Sequence, residues 1–236
     1  DSTKLTKTKG QIVSTQEAWG NDFQDSWDSV EDYYEWIKPF IAEFVRVMKD
    51  NGSLILFLDR KYTGLIIRNL EKHFDLNFKN KIYFKKKNPF PSIRKNNYRS
   101  TIEEAVWFTK SKQCTFNFGA QGDMLQFYEG SIGRKKTKHP TEKYGWMIEP
   151  LIKNHTRPGQ VVLDAFAGSA TTLVVAKKHG CDVIGFEKEA RFYEMARARM
   201  EEEQMDLAFH APANESAIVA ELDFLMNVEL AAITSS

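Results

Sequence analysis

The chain has 236 residues, 42% of them hydrophobic and 28% charged, with a net charge of +1, which is typical of a globular domain with a sizeable core. No apolar run approaches the roughly 20 residues that a membrane span needs, and the N-terminus does not resemble a signal peptide. Two distant cysteines, Cys114 and Cys181, encode neither a disulfide framework nor a zinc site. We therefore expect a soluble cytoplasmic protein that binds neither membrane nor metal.

Hydrophobic periodicity predicts alternating helices and strands. Ser29 and Asp32 form a capping pattern ahead of a helix that Asn51-Gly52 ends and that Pro39 should kink. The further predicted elements are strands over 53–58, 76–84, 105–109, 161–166 and 183–187, and helices over 61–74, 144–155, 169–179 and 190–203. This order predicts an α/β fold with a doubly wound, mainly parallel sheet.

Charges of each sign are collected in separate stretches of the chain. Residues 11–37 hold seven acids and no Lys or Arg, whereas residues 76–102 hold eight bases and no acid. A second basic cluster comprises Arg134, Lys135, Lys136 and Lys138. After Arg199 the chain contains eight Asp or Glu residues and no Lys or Arg. The two basic stretches predict a polyanion-binding face. Solvated loops without a ligand are the alternative.

Polar residues lie where the predicted strand 161–166 passes into the next helix, the place at which an open α/β sheet binds its ligand. Asp164 offers a carboxylate to an amine or hydroxyl, Gly168 lets the backbone approach a ligand closely, and Glu187 ends the next strand, where an acid can bind a ribose diol. The Gly-x-Gly-x-x-Gly pattern is absent, which disfavours a dehydrogenase with a pyrophosphate cradle. The pattern suits a ligand that contains adenosine without a diphosphate, such as S-adenosylmethionine. The alternative interpretation is a strand-turn-helix that binds no ligand.

The segments Asp-Ala-Phe-Ala-Gly-Ser-Ala-Thr-Thr (164–172), Val-Ile-Gly-Phe-Glu (183–187) and His-Pro-Thr-Glu-Lys (139–143) resemble the cofactor motifs of β-class DNA amino-methyltransferases. This resemblance covers about residues 19–200 and implies the Rossmann-like fold of S-adenosylmethionine-dependent methyltransferases. The cofactor-binding residues that it implies are His139, Pro140, Thr141, Lys143, Asp164, Phe166, Ala167, Gly168, Ser169, Ala170, Thr171, Thr172 and Glu187. Ala170 stands where the family has a second glycine, so a positive φ there would strain the backbone by about 1 kcal/mol.

The resemblance also implies double-stranded DNA as the partner. We expect one methyltransferase domain over 1–236, with a basic DNA-contacting insert over 76–138 and an acidic tail over 204–236. The expected DNA-binding residues are Lys85, Lys86, Lys87, Asn88, Arg94, Lys95 and Arg99. Trp19, Phe23 and Trp27 are candidate walls for a flipped base, although such aromatic residues more often belong to the core. The sequence is compatible with a homodimer or with a separate partner subunit.

The implied reaction is methyl transfer to the N6 amine of adenine, with the N4 amine of cytosine as the alternative. The family's catalytic Asp-Pro-Pro-Tyr or Ser-Pro-Pro-Tyr does not occur in the 236 residues, so no catalytic residue is assigned. The chain is then either an active enzyme whose N-terminal strands precede Asp1, or a catalytically inert DNA-binding or partner subunit of a methyltransferase assembly. The first is favoured because the strand before that motif is central in this fold, and its absence would expose apolar edges.

Overall fold

The computed structural model describes residues 27–92, 95–137, 139 and 141–210, with side chains up to residue 203. Trp19, Phe23, Arg94, Lys138 and Pro140 therefore lie outside the described residues. The elements are α1 (Val30–Val47), β1 (Ser53–Leu58), α2 (Arg60–His73), β2 (Asn77–Lys86), β3 (Ile102–Thr109), β4 (Phe127–Gly130), α3 (Gly145–His155), β5 (Val161–Asp164), α4 (Thr171–Lys178), β6 (Asp182–Gly185) and α5 (Ala190–His210). By its contacts the chain divides into two units, Asp1–Glu201 and Glu202–Ser236.

The described strands form two sheets. The larger has the order β1-β3-β2-β4, and the smaller pairs β5 with β6. β4 is parallel to β2, and β6 is parallel to β5, whereas β3 is antiparallel to both of its neighbours. β2 returns to β3 without a crossover helix, and a direct connection of this kind permits antiparallel pairing. The α/β architecture is thus confirmed, with an antiparallel strand inserted between β1 and β2.

Helix α1 begins at the predicted cap, where the Ser29 hydroxyl oxygen accepts the N–H of Asp32 at 3.0 Å. The helix continues through Pro39 to Val47. Its apolar face, represented by the fully buried Ile41, packs against Ile66 of α2 and the larger sheet. This packing makes α1 and α2 the principal cover of one side of the larger sheet.

The smaller sheet positions the candidate site. Asp164 is level with Gly185 in the parallel register, so the chain leaves β5 and β6 at the same edge. Val162 and Val183 pack against buried residues of α3 and α4. On the opposite face Val161 and Leu163 are 52% and 38% exposed. One face of this pair of strands is therefore apolar and uncovered within the described part of the chain.

The remaining features of the described residues concern membrane-spanning helices, metal sites and the length of the last helix. None of the described helices combines the length and the apolar character that crossing a membrane requires. The described ranges also contain no group of three or more His, Cys, Asp or Glu side chains arranged to hold a metal ion. α5 runs to His210, past the helix end predicted near residue 203.

Candidate functional site

The turn between β5 and α4 has a left-handed backbone at two positions. Gly168 has φ 53° and Ala170 has φ 59°. Ala170 is fully buried and packs with Ala167, Leu173 and Ala196. The positive φ considered from the sequence is therefore present. An alanine in this conformation carries a strain of about 1 kcal/mol. α4 accordingly begins at Thr171 rather than at the predicted residue 169.

His139 lies directly against this turn. A Cβ atom added to Gly168 would lie 3.0 Å from His139 Nε2, so both this close contact and the positive φ disfavour a side chain here. The Thr141 N–H donates to His139 Nδ1 at 3.3 Å, which places the proton of the neutral ring on Nε2. Burial lowers the pKa of His139 and favours that neutral form. The imidazole also packs on the ring of Phe192, with centroids 4.3 Å apart.

Glu187 joins the two chain segments that leave the smaller sheet. Its Oε2 accepts the Gly168 N–H at 2.9 Å, and its Oε1 accepts the Glu189 N–H at 2.9 Å. A carboxylate has about four lone-pair sites, so Glu187 retains acceptor capacity for hydroxyl groups. β6 ends at Gly185, so Glu187 follows the strand by two residues and does not end it as predicted.

Asp164 ends β5 and is held by the turn that follows. Its Oδ1 accepts the Phe166 N–H at 3.1 Å, and Thr172 hydrogen-bonds to the same side chain. Burial raises the pKa of Asp164, and the nearby charge of Glu187 acts in the same direction. A cationic amine placed beside Asp164 would offset this rise, because an opposite charge favours the carboxylate form.

An aromatic surface borders the turn. Phe166 is 50% exposed, and its ring centroid lies 6.0 Å from that of Trp36 and 5.2 Å from that of Phe40, both on α1. Such a surface suits a flat heterocycle. Sequence reasoning did not assign Trp36 or Phe40 to the site, because their pairing with Phe166 is non-local. Trp27 is partly buried and packs against Tyr33 and α2 of the core, as the alternative interpretation predicted, and its ring centroid also lies 4.9 Å from that of Trp36.

The hydroxyl groups of Ser169 and Thr171 face the protein interior. Both residues are buried, and the Thr171 hydroxyl donates to the Lys143 carbonyl oxygen at 3.1 Å. Arg199 Nη1 donates to the Ser169 carbonyl oxygen at 2.7 Å and to Thr171 Oγ1 at 3.0 Å. These side chains therefore join the turn to residues 139–143 and to α5. A ligand contact by Ser169 or Thr171 would involve the backbone.

Sequence reasoning missed Arg199 and its buried partner Glu142. Their facing atoms, Nη1 and Oε1, are 3.4 Å apart. A signal was available on α5, because Phe192, Ala196 and Arg199 follow the i, i+4, i+7 spacing of one helix face. A charged residue on an apolar helix face indicates a buried ion pair.

Lys143 lies at the end of the larger sheet. Its ammonium pairs with Glu103 of β3 and lies 4.9 Å from the centroid of the Phe57 ring. Glu103 also pairs with Lys86, at 3.0 Å. Although burial acts to raise it, the two lysines hold the pKa of Glu103 below its usual value. Lys143 thus connects the 139–143 segment to β3, and Lys86 is engaged at the same carboxylate.

The predicted DNA-binding residues divide into two groups. Several are engaged within the protein: Lys85 pairs with Glu129 at 2.6 Å, Asn88 Nδ2 donates to the Ile132 carbonyl oxygen at 2.7 Å, and Arg99 donates to the carbonyl oxygens of Pro89 and Phe90. Lys87 and Lys95 are exposed. Asn88 and Arg99 therefore shape the loop between β2 and β3 (residues 87–101), which we call the basic loop, and Lys87 and Lys95 are exposed cations of this loop.

Each of the two basic stretches has one further feature. Phe90 and Tyr98 on the basic loop are 76% and 96% exposed. A cavity of about 690 Å³ is lined by Arg134, Lys135, Lys136 and Thr137, which precede the 139–143 segment. The second basic cluster thus borders a cavity, and its charge suits a phosphate-bearing ligand.

A family model described as "DNA methylase", for N6 and N4 methyltransferases, matches residues 7–198. The type II methyltransferase M.HinfI of Haemophilus influenzae is 27% identical over 93% of this chain and 68% of its own length. M2.DpnII of Streptococcus pneumoniae is 28% identical over 84% of this chain and 77% of its own length.

Two solved structures show the same arrangement of elements. M1.HpyAVI, crystallised with S-adenosylmethionine, is 29% identical and superposes with a TM-score of 0.65 over 72% of this chain and 84% of its own. The cytosine-N4-specific PvuII methyltransferase superposes with a TM-score of 0.66 over 82% of this chain and 78% of its own, but is only 17% identical, which shows a shared fold alone. The family match covers most of the chain and includes the turn, the 139–143 segment and Glu187. This chain belongs to the DNA methylase family of N6 and N4 amino-methyltransferases.

Proposed function

We propose that this protein methylates the N6 amine of adenine in duplex DNA. Membership of the family makes it an S-adenosylmethionine-dependent DNA methyltransferase acting on an exocyclic amine, and the choice of adenine is the proposal. Two type II methyltransferases match 93% and 84% of the chain at 27% and 28% identity. The cytosine-N4-specific structure shares only 17% identity. An identity of 17% shows a shared fold alone and does not favour cytosine as the target.

The main support for this proposal is that three segments lie together at one edge of the smaller sheet: the turn after β5, the 139–143 segment and the chain that follows β6. His139 touches Gly168, and Gly168 donates its N–H to Glu187. These hydrogen-bond acceptors fit S-adenosylmethionine, because Glu187 can accept from the ribose hydroxyls and Asp164 can accept from the methionine amine. The exposed ring of Phe166 offers a surface to the adenine ring of the cofactor.

S-adenosylmethionine supplies an electrophilic methyl group on a sulfonium ion. The described residues bind and orient this donor. Glu187 and Asp164 place negative charge beside a ligand that carries cationic groups, and Gly168 allows the close approach of the backbone. The neutral His139 supports the turn without adding a positive charge beside the sulfonium. Orientation of this kind lowers the entropic cost of bringing the methyl group and the amine together.

The DNA is proposed to lie along the two basic stretches. Lys87 and Lys95 are exposed cations that suit phosphate contacts. The residues that line the basic cavity, Arg134–Thr137, come just before the 139–143 segment in the chain. A phosphate bound there would therefore be held by residues next to the segment that packs against the turn. A target base inside the duplex must leave the helical stack before its amine can meet the methyl group.

A catalytically inert DNA-binding or partner subunit is the second candidate. The observation that favours it is the absence of Asp-Pro-Pro-Tyr and Ser-Pro-Pro-Tyr from the 236 residues. An inert subunit would bind S-adenosylmethionine and DNA and would transfer no methyl group.

The test uses the protein as its gene encodes it. We incubate it with unmethylated duplex DNA and methyl-labelled S-adenosylmethionine, digest the DNA to nucleosides and separate them. Label in N6-methyl-2′-deoxyadenosine supports the proposal, and label in N4-methyl-2′-deoxycytidine places the target on cytosine instead. Binding of both ligands without transfer supports the inert subunit, and label in 5-methyl-2′-deoxycytidine contradicts both candidates.

A further inference from the structure

A buried arginine reaches the cofactor turn from α5. Arg199 is 9% exposed and Glu142 is 8% exposed. The bonds of Arg199 Nη1 to the Ser169 carbonyl oxygen and Thr171 Oγ1 are 2.7 and 3.0 Å long, and its distance to Glu142 is 3.4 Å. One guanidinium nitrogen of this type carries two hydrogens, so the two short bonds are its principal ones. The strongest contacts of Arg199 are therefore with the turn, and its attraction to Glu142 is mainly Coulombic.

Glu142 extends this network toward the basic cavity. Its Oε2 accepts the Thr137 N–H at 2.9 Å and the Thr137 hydroxyl at 2.7 Å, and its Oε1 accepts the Lys136 N–H at 3.3 Å. The Thr171 hydroxyl completes the connection by donating to the Lys143 carbonyl oxygen. Displacement of the turn, of residues 136–137 or of residue 143 would therefore break a buried or partly buried hydrogen bond.

The turn needs such support because of its backbone conformation. Ser169 lies between two left-handed residues, Gly168 with φ 53° and Ala170 with φ 59°. A non-glycine residue keeps this conformation only when the surrounding structure over-determines it. Arg199 binds the carbonyl oxygen of the residue between them. Its contact is placed to keep the Gly168 N–H directed at Glu187.

We propose that Arg199 is a positioning residue, which holds residues 168–171 in the conformation that binds S-adenosylmethionine and acts through Ser169 and Thr171. The inference rests on the proposed cofactor site. Arg199 itself is buried and makes no contact with the cofactor. Glu142 is its counter-ion, and the pair couples the turn to the segment that borders the basic cavity.

The test compares cofactor affinity with folding stability. Removing Arg199 alone leaves Glu142 buried and unpaired, so the main variant carries both Arg199→Met and Glu142→Gln, which eliminates both charges. We expect this double variant to unfold cooperatively and to bind S-adenosylmethionine at least about tenfold more weakly by calorimetry. Arg199→Lys keeps the charge and one donor group, and we expect its affinity to lie between those of the double variant and the unchanged protein.

Two control variants separate positioning from general stability. Arg197→Met removes an exposed arginine of the same helix, paired with Glu194 and Glu201, and should leave the dissociation constant unchanged. Leu70→Ala creates a cavity in the core under α2 and should lower the unfolding midpoint without changing the dissociation constant.

Hydrogen exchange of the turn without cofactor gives a second measurement. Amides of residues 167–171 should exchange faster in the double variant than in Leu70→Ala. Unchanged affinity together with unchanged exchange would overturn the role of Arg199. If the unchanged protein fails to bind S-adenosylmethionine, the cofactor site itself is overturned, and the exchange comparison still decides whether Arg199 holds the turn.

Discussion

Glu187 Oε2 accepts the backbone N–H of Gly168 at 2.9 Å, which connects the end of β6 to the turn that follows β5. The same carboxylate is proposed to accept from the ribose hydroxyls of the cofactor. It therefore has two roles, one toward the protein and one toward the ligand.

We expect Glu187→Ala to weaken S-adenosylmethionine binding by about 1–3 kcal/mol, the cost of losing charge-assisted hydrogen bonds. Glu187→Gln keeps one acceptor oxygen and should lose less. Calorimetric titration measures both, with Glu194→Ala as an exposed control on α5. An affinity of Glu187→Ala equal to that of the unchanged protein would remove Glu187 from the cofactor site.

Gly168→Ala should destabilise the fold by about 1–3 kcal/mol, because it combines a positive φ with a contact to His139. Gly64→Ala is the matched control, since a Cβ atom there meets nothing within 4 Å and mid-helix alanine should stabilise by about 0.5–1 kcal/mol. Urea denaturation measures both changes. Equal stability of Gly168→Ala and the unchanged protein would contradict the described approach of His139.

His155 makes the stability depend on pH. Burial lowers its pKa to about 4, and the ring lies 4.5 Å from that of Trp107, centroid to centroid. The unfolded chain takes up the proton near pH 6.5, so the stabilising contribution is complete above that pH and is lost as the pH falls toward 4. The loss amounts to about 3 kcal/mol.

Urea midpoints measured between pH 4 and pH 7 test this prediction. His155→Gln should flatten the curve in that range, because the substituted side chain does not titrate. His73→Gln, an exposed position at the end of α2, is the control and should leave the slope unchanged. A slope in His155→Gln equal to that of the unchanged protein would assign the pH dependence to other groups.

Lys87 and Lys95 are expected to contact phosphates. Changing both to Ala should weaken binding to all DNA sequences alike and reduce the slope of log affinity against log salt concentration by about 2. The measurement is a salt titration of DNA affinity. A variant with Lys49→Ala and Lys72→Ala, two exposed lysines outside the basic stretches, carries the same charge change. If the two double variants show equal slopes, the DNA lies elsewhere.

The parts of this fold that depend on nearby residues could be predicted from the sequence. The cap of α1 at Ser29 and the turn after Asp164 are set by side chains within a few positions of each other. The position of β3 between β1 and β2 depends on pairing between distant segments. β4 has four residues without a buried face, and this is too short for a periodic signal.

The same limit applies to the site. Asp164 and Gly168 indicated the cofactor site from the sequence alone, because they lie where a predicted strand ends and an open α/β sheet binds its ligand. Whether a lysine is available to DNA depends on acids that are remote in the chain, as with Lys85 and Glu129. Arg199 and Glu142 are 57 positions apart, so only the three-dimensional structure brings them together.

The left-handed backbone at Ala170 limits how this turn can evolve. Position 170 must tolerate φ 59° and fit a fully buried space beside Leu173 and Ala196. Asparagine meets the first requirement but is too large for the second, and valine fails both. Glycine and alanine remain, and their codons differ by one base. The turn can therefore pass between these two residues in a single mutation, whereas any larger side chain would require compensating changes in its neighbours.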